Sequence, residues 1–409
     1  MVEIPFLFTL TPTLSLQGRG RFSTFYEFIK PKSHRHCMKK EIYNKRIALL
    51  RQILAAKSCD TAWIIQPQNR RYLSGFKADD MHLTESSGSL LINKTQCVLV
   101  TDSRYFLEAQ REVSDFEIHT LNQGSIEGLP ELVKSMGTIK LGFEEDYLTC
   151  SLHRQLTERF KVLSSPIEFV PLNGVVGEMR EVKDAVEIKA MEASADMISA
   201  ILEELIAGLK PGLTEKEVAW KIEDMARRAG AESLAFSPIV ASGPNSALPH
   251  AVPTDRKLKS KEPIILDVGV RLNGYCSDMT RTVFLEKPGS ELRKIYMTVR
   301  QAQVAALKEI HPGVDSNHPD EIARQIIREA GFAEYFGHAL GHGVGLATHE
   351  RPRLGPLKPK KLKKGMVVTV EPGIYMPDKG GVRLEEMVVI EEDGPRILTK
   401  NNHFYDFAS

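Results

Sequence analysis

The sequence predicts an α+β protein: a smaller α/β domain followed by a larger domain whose helices cover a mostly antiparallel sheet. Three observations carry this. The chain has 409 residues, 42% of them hydrophobic and 26% charged, a globular composition at a length that argues for two domains. Residues 38 to about 165 alternate helix and strand signals, the order of an α/β layer. From about Arg180 two long helical patterns precede two strand patterns, and this order occurs twice, as an old duplication would leave it.

Composition excludes some functions. A formal net charge of +1 gives no reason to expect nucleic acid or an acidic membrane surface as partner. No apolar run approaches the roughly 20 residues that a membrane helix needs. The five cysteines, Cys37, Cys59, Cys97, Cys150 and Cys276, form no CxxC pair, which fits free thiols and a cytoplasmic location. Residues 1–37 have no period, and the apolar run Ile4–Leu10 is interrupted by Pro5 and preceded by Glu3, a poor signal peptide. They read as disordered or as a mis-assigned start, with Met38 as the natural beginning of the chain.

In residues 38–165, "MKKEIYNKRIALLRQILAAK" places Ile42, Ile47, Leu50 and Leu54 near one helical face. "TAWIIQ", "GSLLIN", "QCVLVTD" and "TIKLGFEED" read as strands, the middle two as a hairpin turning near Asn93-Lys94. "SRYFLEAQREV" and "TCSLHRQLTERF" read as helices. Residues 166–180, bearing Pro166, Pro171, Gly174 and Gly177, read as a linker. In residues 181–409, Pro211-Gly212 separates the first two helices, and Thr214 with Glu217 forms a capping box. "PIILDVGV", "GYCSDMTRTVFL", "GMVVTVEPGIY" and "VRLEEMVVIEE" are the strand signals.

The chemistry lies in carboxylates. In "IILDVGVRLNGYCSDMTRTVF", Asn273-Gly274 is a strong hairpin signal. With that turn Leu272 faces Tyr275, so Asp278 faces Gly269, and Gly269 shares a face with Asp267. The aspartates become diagonal neighbours within reach of one ion. Like charges this close, flanked by apolar runs, are costly without a counter-charge, which a divalent metal supplies. The bland alternative is an exposed hairpin face with two solvated aspartates. Glu371 ends the apolar strand of "VVTVEPGIY", and Glu385 begins another in "GVRLEEMVVI". Either alone reads as a solvated strand end. Together, four acidic residues beside buried-looking strands suit Mn²⁺, with Co²⁺, Fe²⁺ or Zn²⁺ as alternatives.

"HALGHGVGLATHE" supplies the nitrogen. Gly341, Gly343 and Gly345 argue against a plain helix around His342, and no HExxH pattern is present. With His342 added, Asp267, Asp278, Glu371 and Glu385 resemble, in order and local context, the five ligands of the pita-bread dinuclear metallopeptidases. The motifs "ASGPNSALPHAVPTDRKL", "DVGVRLNGYCSDMTRTV", "GHGVGLATHERP", "VEPGIY" and "GVRLEE" carry that resemblance over roughly residues 180–409. "NRRYLSGF" and "TDSRYFLEAQ" resemble the N-terminal domain of the aminopeptidase P, prolidase and creatinase branch. Ala339 and "RLEE", in place of the commoner Arg-Ile-Glu-Asp, are small departures that leave the ligand set intact.

The resemblance implies a pita-bread catalytic domain with a pseudo-twofold, preceded by a creatinase-like domain. It implies two divalent ions, with Asp267 on one, Asp278 and Glu385 bridging, and His342 and Glu371 completing the second site. Glu371 would also be the general base. His250 and His349 would contact the substrate and its tetrahedral intermediate, Arg383 would pair with a bridging carboxylate, and His338 would be structural or at the pocket edge. The implied activity is Xaa-Pro aminopeptidase, cleaving small peptides with proline in second position, with a metal-activated bridging water. Prolidase action on Xaa-Pro dipeptides is the nearest alternative, and an inactive binding module a distant one. A homodimer or homotetramer is expected.

Overall fold

The computed structural model describes residues 32–80, 82, 84–122, 124–163 and 167–407, with side chains from Lys40 onward. The reading of residues 1–37 thus falls largely outside the described residues. Helix α1 (Lys32–Ala56) begins before Met38, and no glycine or proline between the two would stop it. By its contacts the chain divides within α1, and the unit that carries the site starts at Tyr43.

In that unit α1 buries Ile47, Leu50 and Leu54, the helical face expected from the spacing. There follow β1 (Thr61–Ile64), α2 (Pro67–Ser74), β2 (Ser89–Asn93), β3 (Cys97–Thr101), α3 (Phe106–Glu112), β4 (Glu117–Thr120), α4 (Ser125–Ser135), β5 (Lys140–Phe143) and α5 (Cys150–Val162). β6 (Glu168–Pro171) and α6 (Val175–Met179) complete the domain. The six strands form one sheet in the order β4-β3-β2-β1-β5-β6. Side chains alternate across it: Leu90 and Ile92 pack on the α1 side, while Leu91, between them, packs with Leu129, Val133 and Phe160 of α4 and α5. Each such side chain contributes roughly 1.5–3 kcal/mol by leaving water.

The linker assignment for residues 166–180 needs correction. β6 is the parallel edge strand beside β5, and α6 packs Val175, Val176 and Met179 into the core beneath α1. Pro171 is tolerated because it ends an edge strand. Asn173 and Gly174, at φ 54° and 70°, turn the chain into α6. The breakers punctuate structure here without ending it.

The larger domain begins with α7 (Ala185–Ala207) and α8 (Glu215–Arg228), each opened by a capping box, Asp184 with Glu187 and Thr214 with Glu217. Strands β7 (Ser233–Leu234), β8 (Ile239–Ser242), β9 (Ile264–Val268), β10 (Val270–Leu272), β11 (Tyr275–Cys276) and β12 (Met279–Val283) follow. Helices α9 (Ser290–Lys308) and α10 (His318–Glu329) then precede β13 (Gly341–Gly343), β14 (Glu350–Leu354), β15 (Val367–Val370), β16 (Gly373–Met376), β17 (Gly380–Arg383), β18 (Glu386–Glu391) and β19 (Gly394–Ile397). Every strand pairing described in this domain is antiparallel. The expected repetition is present. Ile198, Leu202, Val218 and Ile222 of α7 and α8 pack on β8, β9 and β12, and Ile295, Val299, Ala323 and Ile327 of α9 and α10 pack on β15 and β18.

Candidate metal centre

The two repeats present their carboxylates at matching places. β9 carries Asp267, and Asp278 immediately precedes β12; Glu371 immediately follows β15, and Glu385 immediately precedes β18. The hairpin register is the one expected. Leu272 opposes Tyr275, and the same register continues to Thr280 opposite Asp267, which leaves Asp278 diagonal to Asp267. Val268 and Met279 point into the apolar core. The repeats meet where the Glu385 N–H donates to the Thr280 carbonyl at 3.1 Å.

His342 lies on β13, flanked by two glycines. A Cβ on Gly341 would come within 2.0 Å of the Thr369 carbonyl oxygen, and one on Gly343 within 2.3 Å of the Arg351 carbonyl oxygen. Only glycine lets β13 pass between β14 and β15 here. A register irregularity between His342 and Gly343 turns the strand at the histidine. Nδ1 of His342 lies 3.0 Å from the Gly343 carbonyl oxygen, and as its donor leaves the Nε2 lone pair free. That Nε2 lies 3.6 Å from Asp278 Oδ2 and 3.4 Å from Glu371 Oε1.

Asp278, His342 and Glu385 each offer a ligand atom, all within 4.8 Å of one another. The fit to a cation can be tested on the oxygens. Asp267 Oδ1 and Glu385 Oε1 are buried with no hydrogen-bond partner, a costly state for a carboxylate unless an ion takes it up. Burial, reinforced by the neighbouring carboxylates, holds Asp278 and Glu385 well above the usual range. Burial pushes Glu371 up to about 7, although Arg383 opposes it. Burial also holds His342 below its ordinary value, so it is neutral and able to ligate. The oxygen-rich set with one imidazole suits a hard or borderline divalent ion.

Arg383 needs a second correction. Its Nη2 donates to Asp267 Oδ2 at 2.6 Å, and Asp267 is not one of the carboxylates expected to bridge. β17 pairs with β16, and the arginine crosses β12 with Nε on Thr280 Oγ1, directly opposite Asp267. Thr280 in turn donates to Glu385 Oε2 at 2.8 Å. Arg383 Nη1 donates to Tyr375 Oη at 2.9 Å, and His338 Nε2 lies 2.8 Å from that hydroxyl. Burial lowers His338 to about 4, so it is neutral at ordinary pH. His338 thus supports the arginine through Tyr375.

The His349 ring lies 4.3 Å, centroid to centroid, from that of His342 and is tilted 58° to it, and His349 is itself exposed. Burial, then the neighbouring imidazoles, lower it. His250 is exposed, follows Pro249, whose carbonyl accepts from Arg383, and is close enough to act electrostatically on Glu371 and His349. Every residue expected in the site is therefore in one neighbourhood. Sequence reasoning passed over Thr280, Thr369, which donates to Glu371 Oε1 at 3.1 Å, and Tyr375. For Thr369 and Tyr375, a hydroxyl inside an otherwise apolar strand was the available signal; Thr280 lies in the more polar strand MTRTV and gave none.

Residues 189–392 match the metallopeptidase family M24, and residues 46–182 match the creatinase/prolidase N-terminal domain. A Xaa-Pro dipeptidase of Pyrococcus furiosus is 34% identical, covering 87% of this chain and 98% of its own. Among solved structures, a Xaa-Pro dipeptidase from Bacillus anthracis superposes with a TM-score of 0.81 at 36% identity, covering 88% of this chain and 98% of its own. An X-Pro aminopeptidase from Thermotoga maritima gives 0.75 at 35% identity, over 84% and 96%. The chain belongs to the M24 metallopeptidases, with a creatinase-type N-terminal domain before a pita-bread domain. Among the described residues no helix is long and apolar enough to cross a membrane.

Proposed function

We propose that the chain is a Xaa-Pro aminopeptidase, hydrolysing the bond between an N-terminal residue and a following proline in small peptides. The observation that carries the metal-dependent part is the convergence of four carboxylates and His342, with two buried carboxylate oxygens left unpartnered. Asp267, Asp278, His342, Glu371 and Glu385 would hold two divalent ions, Mn²⁺ in the first place. When bound, these supply an activated water and polarise the scissile carbonyl.

The chain's own residues do the rest. Glu371 takes a proton at its carboxylate from the attacking water and passes it to the departing prolyl nitrogen. The imidazole N–H groups of His250 and His349 stabilise the developing oxyanion. Arg383 fixes Asp267 and, through the Pro249 carbonyl, the loop that carries His250. Proline presents a tertiary amide without an N–H, so recognition rests on shape.

A second reading is favoured by the Xaa-Pro dipeptidases of Pyrococcus furiosus and Bacillus anthracis, which this chain resembles over nearly its whole described length. An assay of Xaa-Pro beside Xaa-Pro-Xaa with added Mn²⁺ decides between them. Cleavage of the tripeptide is the expected result; cleavage of the dipeptide alone would replace the first reading by the second. A cytoplasmic location and a homodimer or homotetramer belong to the same proposal, and light scattering on the purified protein tests the assembly.

A further inference from the structure

The loop that follows His342 enters the N-terminal domain. Leu346, 3% exposed, packs in the core built by Leu73, Phe76, Leu172 and Val176. Four residues on, the Glu350 carboxylate is buried between Arg180 and Lys183, with the Lys183 ammonium at 3.5 Å. A Cβ on Gly345 would come within 2.6 Å of that carboxylate, so the loop closes tightly round it. Glu350 Oε1 also accepts the Ala347 N–H at 2.9 Å. His349 is thus held between the arms of a loop whose anchor is Glu350.

The anchor continues into the N-terminal domain. Arg180 Nη1 donates to Asn69 Oδ1 at 2.7 Å, and Asn69 Nδ2 donates to Glu144 Oε1. Glu144 Oε2 accepts the Gln66 N–H at 2.7 Å, at the junction of β1 and α2. Arg180, Asn69, Glu144 and the Glu350 side chain are each more than nine-tenths buried. None of them hydrogen-bonds to a proposed metal ligand, so the peptidase chemistry does not account for this network.

We infer that Arg180 is a positioning residue for His349: through Glu350 it fixes the loop, and so places the imidazole that meets the substrate. The N-terminal domain thereby takes part in catalysis without contributing an atom to it. Adjacent Cα atoms lie about 3.8 Å apart, so a displaced Glu350 carries His349 with it. A misplacement of about 1 Å at a catalytic group costs on the order of 100-fold in rate.

This inference rests on the role given to His349 in the proposed peptidase, and two readouts keep the two separable. The first is a double-mutant cycle of Arg180→Met and His349→Ala in the manganese-loaded full chain with an Xaa-Pro-Xaa tripeptide. Arg180→Met should lower kcat at least tenfold with KM changed less than threefold and bound manganese unchanged, and should lower it no further in the His349→Ala background. Arg180→Lys, which keeps the charge and loses the fork, should recover part of the rate, and it replaces Arg180→Met in the cycle if the latter is insoluble. An equal fold-loss in both backgrounds, or a loss that follows manganese content, would overturn the proposal. The second readout is hydrogen exchange of the Ala347 amide without substrate, expected to be at least tenfold faster in either Arg180 variant. Unchanged exchange would overturn the proposal whether or not the wild type cleaves peptides. A wild type inactive on both substrates would sink the peptidase reading alone, and the exchange rate would then decide this one.

Discussion

At the scale of single residues, the site is a set of charges held together by hydrogen bonds whose partners lie far apart in the chain. Thr280 donates to Glu385, and Arg383 reaches Thr280, Asp267 and Tyr375. Glu371→Ala removes the proton acceptor, and general acid–base catalysis contributes about 10²–10⁴-fold. A loss of about 10³-fold in kcat is therefore expected, with an unchanged far-ultraviolet circular dichroism spectrum; a near wild-type rate would remove Glu371 from the chemistry. Tyr375→Phe deletes the hydroxyl between His338 and Arg383 and leaves buried polar atoms short of a partner. A stability loss of about 1–3 kcal/mol by urea denaturation is expected. The candidate ligands were legible in the sequence through the hairpin spacing of Asp267 and Asp278 and the resemblance of five motifs taken together, since a lone acidic strand end reads as solvated. The partner of Arg383 was not. Strand alternation places it near Glu385, but Thr280 lies 103 residues away and Asp267 116, separations that no local pattern encodes.

At the scale of elements, β13 shows why short strands resist prediction. Its three residues have no period, and two are glycines that make no side-chain signal. Their meaning lies in the backbones on either side. Gly341→Ala would drive a Cβ onto the Thr369 carbonyl and push His342 away from Asp278 and Glu371. Overpacking of this kind costs about 1–3 kcal/mol, and calorimetry should find that loss together with weakened Mn²⁺ binding. An unshifted melting temperature and full metal uptake would show that the strand yields. The hairpin at Asn273-Gly274 is the opposite case. Asn273 and Gly274 both take positive φ, 52° and 88°, so the turn chemistry alone set the register that pairs the aspartates. β6 was hidden for a third reason: Pro171 is its last residue, and an edge strand tolerates proline where an inner strand does not.

At the scale of the whole molecule, the carboxylate cluster links stability to pH and to metal. Burial and mutual repulsion raise Asp278, Glu371 and Glu385 in the metal-free fold. A carboxyl raised on folding adds stability below its unfolded value and loses it as pH rises through the folded one. For Glu371 that window runs from about 4.3 in the unfolded chain to about 7 in the fold. Chelator-treated protein should therefore lose on the order of 3 kcal/mol between those limits from this group. Saturating Mn²⁺ should remove the slope. A metal-free melting temperature flat from pH 5 to pH 8 would contradict the arrangement. Glu350 acts in the other direction. Burial opposes its charge, but Arg180 and Lys183 more than offset that and hold it below the usual range. Its contribution is present above the unfolded value and lost as pH falls through the folded one, so Glu350→Gln should flatten the acid limb of stability.

The seam between the two repeats has a consequence for how the protein comes to exist. Asp267 and Asp278 come from the earlier copy, and His342, Glu371 and Glu385 from the later one, so neither repeat alone holds the whole of the proposed ligand set. The two groups of side chains come together only where the second copy docks across Thr280. Tight metal uptake is therefore expected only of a chain whose two halves have met. In a refolding experiment the appearance of metal binding should report the meeting of the two halves.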